Sequence, residues 1–171
     1  MDDSAEARAY AEAVFSEVNR DFVDRLLELA GDIEQARAVD LGTGPADIPI
    51  RLWRRRPGWK ISAVDASPAM LNLARRAVEQ AGAAEAITLV LADAKGAKYG
   101  APRKVDFSPG PNVGPLPAGA FDVVFSNSIL HHVDDTPALW REVRRLAAGG
   151  AVVFFRDLAR PADEDSAEDI V

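Results

Sequence analysis

The residues best suited to holding a ligand recur at the ends of apolar runs. The first run, Ala36 to Leu41, carries Asp40 and opens into Gly42-Thr43-Gly44. Glycine in such a turn lets the backbone approach a bound molecule closely. The second run, Lys60 to Val64, ends in Asp65-Ala66, where a carboxylate can accept hydrogen bonds from both hydroxyls of a ribose. The third, Ile87 to Leu91, leads into Ala92-Asp93-Ala94, where Asp93 can accept from an adenine amino group. The fourth, Phe121 to Phe125, ends in Ser126-Asn127-Ser128. Singly, these are ordinary turn-forming residues at strand ends. In this order they describe a pocket for an adenosine-containing ligand. His131 and His132 lie just beyond the fourth run and Asp157 just beyond a fifth, Ala151 to Phe155, each able to take a proton from a reacting group.

A pocket of this kind needs a scaffold that brings several strand ends to one edge. The apolar runs alternate with amphipathic stretches. Asp47 to Arg56 reads as a helix closed by Pro57-Gly58, and Ser67-Pro68 supplies an N-cap and first-turn proline for a helix that stops at Gly82. A further helix lies between Pro137 and Ala147, with Gly149-Gly150 as its exit turn. Strands separated by helices imply right-handed βαβ units. The expected fold is therefore α/β: a doubly wound, mainly parallel Rossmann-like sheet of about five strands, with helices on both faces and an N-terminal helical segment. Its ligand should lie outside the carboxyl ends of the strands, where strand order reverses.

Residues 1–34 read as helical. Tyr10, Val14 and Val18 share one face and Phe15, Phe22, Leu26 and Leu29 another, while Asn19 or Asp21 could cap a second helix, giving two helices that meet near residue 19. Residues 35–160 form the α/β core of a single domain spanning residues 1–171. Within it, residues 95–120 hold five glycines and five prolines and read as a flexible loop centred on Ser108 to Gly114. Residues 161–171 read as the start of a further helix.

Composition narrows the function classes. The chain has 171 residues, 48% of them hydrophobic, enough for one domain with a real core. Its formal charge of -7 argues against a protein that coats nucleic acid, and the basic cluster Arg51, Arg54, Arg55, Arg56 and Lys60 reads as a solvated helix end. The chain contains no cysteine, which excludes disulfides, zinc–thiolate sites and thiol nucleophiles. The acidic N-terminus has no apolar signal core and no run reaches membrane-span length, so a cytoplasmic location without membrane contact is the expectation.

Over roughly residues 36 to 161 the chain resembles the class I S-adenosylmethionine-dependent methyltransferases. VDLGTGPAD is similar to the family's glycine motif, AVDASPAML to its ribose motif and LADA to its adenine motif. FDVVFSNSILHHVDD is similar to the fourth-strand motif, and AAGGAVVFFRDLARP to the segment around strand five. The resemblance implies S-adenosyl-L-methionine as cofactor, S-adenosyl-L-homocysteine as product, and a small-molecule methyl acceptor. It assigns cofactor binding to Asp40, Gly42, Thr43, Gly44, Asp65, Ala66, Asp93, Ala94 and Asn127; Tyr10 joins them, from its placement on the N-terminal helix, as part of a lid over the cofactor. His131, His132 and Asp157 become the catalytic candidates, and no metal is called for.

A nicotinamide-dependent oxidoreductase is the disfavoured rival. A dinucleotide places its pyrophosphate on the helix N-terminus behind a third glycine, whereas this chain has Pro45-Ala46-Asp47, whose carboxylate would compete with phosphate. A cationic, phosphate-free cofactor suits Asp40 and Asp47 better. The fourth-strand segment lacks the Asn-Pro-Pro-aromatic string of many nucleic-acid amino methyltransferases, which lowers that acceptor class. A third reading is a cofactor-binding partner module without activity. The family's sheet normally has seven strands and strands six and seven find no counterpart here, so AVVFF would be an exposed apolar edge. Either homo-oligomerisation through it, which is the expectation, buries that edge, or something else covers it, or the sequence is a shortened form of a longer protein.

Overall fold

The computed structural model describes residues 3–94 and 116–157, with side chains from residue 16 onward. Most of the glycine- and proline-rich loop, its centre at Ser108 to Gly114 included, lies outside the described residues, as do residues 161–171 and the side chain of Tyr10. The strands are β1 (Arg37–Leu41), β2 (Lys60–Asp65), β3 (Ile87–Leu91), β4 (Phe121–Asn127) and β5 (Ala147–Arg156). The helices are α1 (Asp3–Ala30), α2 (Asp47–Arg55), α3 (Pro68–Ala81) and α4 (Thr136–Leu146), with a short 3-10 turn at Leu130–His132.

All pairings in the sheet are parallel, in the order β3-β2-β1-β4-β5. The chain winds outward from β1 to β3, then crosses to the other side of β1 for β4. The reversal therefore falls between β1 and β4, and their carboxyl ends are Leu41 and Asn127. Successive residues alternate between faces. Ala38, Ile61, Ala63, Val123 and Phe125 pack under α1, α2 and α3, while Val39, Leu41, Val64 and Val124 pack against α4. Helices thus cover both faces, as doubly wound strands require.

Local signals place the elements well. Ser67 Oγ accepts from the Met70 amide at 3.3 Å, Pro68 occupies the first turn of α3, and Gly82 ends it at φ 72°. Trp59 is fully buried ahead of β2 and its indole donates to the Ile33 carbonyl at 2.9 Å.

Two expectations change. The N-terminal segment is one continuous helix, because neither proposed cap turns back onto its own backbone. Asn19 reaches Asp47 and Asn127 instead, and Asp21 receives Arg156 at 2.7 Å. Its buried stripe is Phe22, Val23, Leu26, Leu27 and Ala30, while Val18 and Leu29 are exposed. Gly149-Gly150 does not stand between α4 and β5 but lies inside β5. Phe121 pairs with Ala147 and Val123 with Val152, so the strand carries extra residues there, and Gly150 absorbs the irregularity at φ 81°. No helix among the described residues is long and apolar enough to cross a membrane.

Candidate functional site

The turn after β1 is folded onto the end of β2. The Gly42 and Thr43 amides both donate to the Val64 carbonyl, at 2.9 and 2.8 Å. Gly42, Gly44 and Ala46 all take positive φ, of 78°, 55° and 65°. Ala46 therefore stands in a backbone conformation that favours glycine.

Asp65 organises the opening. One carboxylate oxygen accepts from the Gly44 amide at 2.8 Å and the other from the Ser67 amide at 2.8 Å. A carboxylate offers about four acceptor positions, so about two remain for a ligand. Beside it lies an open cavity of about 640 Å³, a size suited to a nucleoside-sized ligand. Its wall includes Gly42, Gly44, Asp65, Ala66, Asp93, Ala94 and His132 from the sequence-derived set. The strand-end residues read as an adenosine pocket are thus brought together from β1, β2 and β3.

Other candidates stand behind the wall. Asp40 is buried at 3% exposure and Thr43 at 7%. Burial pushes the Asp40 carboxyl up to about 7; the adjacent Thr43 hydroxyl offsets part of that rise and the Asp65 charge adds to it. Thr43 Oγ1 is itself buried without a hydrogen bond of ordinary geometry. An isolated Asp titrates near 3.8, so between about pH 4 and pH 7 the folded protein keeps a proton that the unfolded chain has lost. This contribution to stability is complete below the lower value and falls away as pH rises through about 7. Asp40→Asn should therefore flatten the fall in melting temperature over that window, read from thermal melts at stepped pH.

Asn127 is turned to Asn19, donating to its side-chain oxygen at 3.2 Å. Asp157 is nearly buried and grips the turn after β4, accepting from the Leu130 amide at 2.5 Å and meeting His131 Nδ1 at 2.7 Å. The rings of His131 and His132 are in contact, tilted by 45° with centroids 3.9 Å apart, and it is His132 that faces the cavity. Tyr10 belongs to α1. The structure also adds to the wall Met70, Ile129 and Val133, which sequence reading missed, and Ser128, which it named only as part of the fourth strand end. Ser128, at φ 65°, sits in the SNSILHH string, and Met70 is the residue whose amide Ser67 caps. Both motifs were visible, but not the direction in which these side chains point.

The wall holds two carboxylates and, among the described residues, neither lysine nor arginine. At the start of α2, Asp47 Oδ2 is already engaged by Asn19 and by Arg51 Nε at 2.7 Å. Such a site suits a cationic, phosphate-free nucleoside and is poorly suited to a pyrophosphate.

A parallel sheet reversing at β1 and β4, with a glycine turn and an acid at the next strand end, defines a Rossmann-like nucleoside-binding domain. More narrowly, residues 39–155 match the family model described as a methyltransferase domain, and the chain belongs to that family, the class I S-adenosylmethionine-dependent methyltransferases. It is 30% identical over 142 residues to a malonyl-[acyl-carrier protein] O-methyltransferase of Serratia marcescens, covering 83% of this chain and 46% of that protein. It is 31% identical over 132 residues to a demethylmenaquinone methyltransferase of Thermus thermophilus, covering 77% of this chain and 51% of that one. The chain thus spans about half the length of these relatives. In fold it is similar to Haemonchus contortus phospholethanolamine N-methyltransferase 2, solved with phosphomonomethylethanolamine and S-adenosylhomocysteine. That match has a TM-score of 0.66 at 20% identity and covers 91% of this chain and 32% of that one.

Proposed function

We propose that this domain binds S-adenosyl-L-methionine and directs methyl transfer to a small-molecule acceptor. The observation that carries the reading is the acidic wall formed by Asp65 and Asp93, with neither lysine nor arginine among the described residues, at the carboxyl edge of the sheet beside its reversal point. When bound, the cofactor supplies an activated methyl group on a sulfonium and leaves as neutral S-adenosyl-L-homocysteine.

The chain's own residues hold and orient. Asp65 presents its remaining acceptor positions to the ribose hydroxyls while its other contacts keep the glycine turn and the start of α3 in place. Asp93 and Ala94 line the far side, where they would meet the base. Gly42 and Gly44 allow close approach. Alignment of the acceptor and exclusion of water supply most of the rate in a displacement with so good a leaving group. A proton acceptor matters only where the acceptor atom must lose a proton; that His132 faces the cavity, against the ring of His131, supports it as that base. Asp157 acts through His131, which it holds, and not on the cavity itself.

Calorimetry with S-adenosyl-L-homocysteine and with NAD tests the reading. Binding of the first and none of the second is expected; the reverse would overturn it. With an acceptor found from a panel, His132→Gln should lower turnover about a hundredfold or more while leaving S-adenosyl-L-homocysteine affinity within about twofold. Unchanged turnover would end the role of His132 as base.

A further inference from the structure

Helix α1 reaches the carboxyl edge of the sheet through one half-buried side chain. Asn19 Nδ2 donates to Asp47 Oδ2 at 2.8 Å, and Asn19 Oδ1 accepts from Asn127 Nδ2 at 3.2 Å. One amide thus ties the start of α2 to the end of β4, elements 28 and 108 residues away in the chain. Arg51 supports the same carboxylate and reaches back to Ser16 of α1 at 3.1 Å.

Each residue that Asn19 holds adjoins a strained one. Asp47 follows Ala46 and Asn127 precedes Ser128, and both Ala46 and Ser128 have φ of 65°. Among the described residues these are the two non-glycine positions with positive φ. A side chain penalises that conformation, which persists only where the surroundings over-determine it. Both strained positions shape the cavity: Ser128 lines it, and Ala46 follows Pro45, which lines it too. The strain is therefore placed at one point of the wall, Ser128, and at one buried point directly behind it, Ala46, and one side chain from a distant helix braces both.

We infer that Asn19 is a positioning residue that holds these two left-handed turns in their wall-forming shape and so couples the docking of α1 to ligand binding. The docking of α1 does not itself depend on Asn19. Phe22, Val23, Leu26 and Leu27 are buried, and Arg156 grips Asp21, the Val18 carbonyl and the Phe22 ring. Removing the amide should therefore loosen the turns without releasing the helix.

The binding arm of the test rests on the cofactor reading above; the exchange arm does not. Asn19→Ala is compared with wild type by hydrogen exchange on the ligand-free protein and by calorimetry with S-adenosyl-L-homocysteine. Exchange should rise together in residues 42–48 and 126–130 while β2 and α3 keep their protection. Affinity should fall about fivefold to tenfold, the scale of about one partly buried hydrogen bond, since only part of the two that Asn19 makes is felt at the cavity. Adding Ala46→Gly and Ser128→Gly to Asn19→Ala should restore most of that loss, since glycine adopts this backbone unaided. Unchanged exchange in either turn, or a loss of affinity that the glycines leave in place, would overturn the inference. If wild type fails to bind the ligand, the cofactor reading falls, and the exchange comparison still decides the role of Asn19.

Discussion

Gly42→Ala should lower stability by about 2–5 kcal/mol and weaken S-adenosyl-L-homocysteine binding at least about tenfold, for two reasons that add. The first is backbone: at φ 78° an alanine pays for its Cβ with about 1–2 kcal/mol of strain. The second is space. A Cβ built on Gly42 would lie 2.8 Å from Ile129 Cδ1 and 3.0 Å from its Cγ1. Ile129 lines the cavity, so the side chain must swing away and take the wall with it, an overpacking cost of about 1–3 kcal/mol. The two causes can be separated. Ile129→Val removes the Cδ1 methyl, so Gly42→Ala with Ile129→Val should recover part of the stability but not the part due to φ. Chemical denaturation of the single and double variants measures this, and equal stability of the two would refute the steric cause.

Asp65→Ala should weaken S-adenosyl-L-homocysteine binding about a hundredfold and lower stability by about 2 kcal/mol. The affinity estimate follows from two hydrogen bonds to a charged acceptor, each worth about 1.5 kcal/mol or more. The stability estimate follows from the Gly44 and Ser67 amides, which would lose their acceptor at the cavity rim, where water replaces it only in part. Asp65→Asn offers a sharper comparison. It keeps one acceptor oxygen for one of those amides, so it should fold better than the alanine variant while still losing most of the affinity. Calorimetry beside thermal melts reads both quantities. Wild-type affinity in the asparagine variant would exclude Asp65 from ribose recognition.

Much of this molecule was legible before its structure. Apolar runs separated by helix caps and stops gave the strands to within a few residues, because each signal is local: Ser67 caps its own helix, Gly82 ends it, and Pro57-Gly58 follows α2. The order of candidate ligand groups followed as well. In a doubly wound sheet every parallel strand delivers its last residue to the same edge, so Gly42, Gly44, Asp65 and Asp93 had to meet once the strands were parallel.

What stayed hidden is carried by contacts between residues far apart in the chain. Asn19 read as a helix cap because its local options favour capping, and only packing of α1 across the sheet offered Asp47 and Asn127 instead. Two adjacent histidines are equivalent in sequence; the grip of Asp157, at the far end of β5, turns His131 away and leaves His132 facing the cavity. Gly149-Gly150 looked like punctuation between elements until pairing with β4 drew both residues into β5. Local propensity thus sets which elements form and which residues end them, since it acts over a few bonds. Which side chains face the ligand and which brace the wall depends on partners 26 to 108 residues distant, and those distances close only when the sheet assembles.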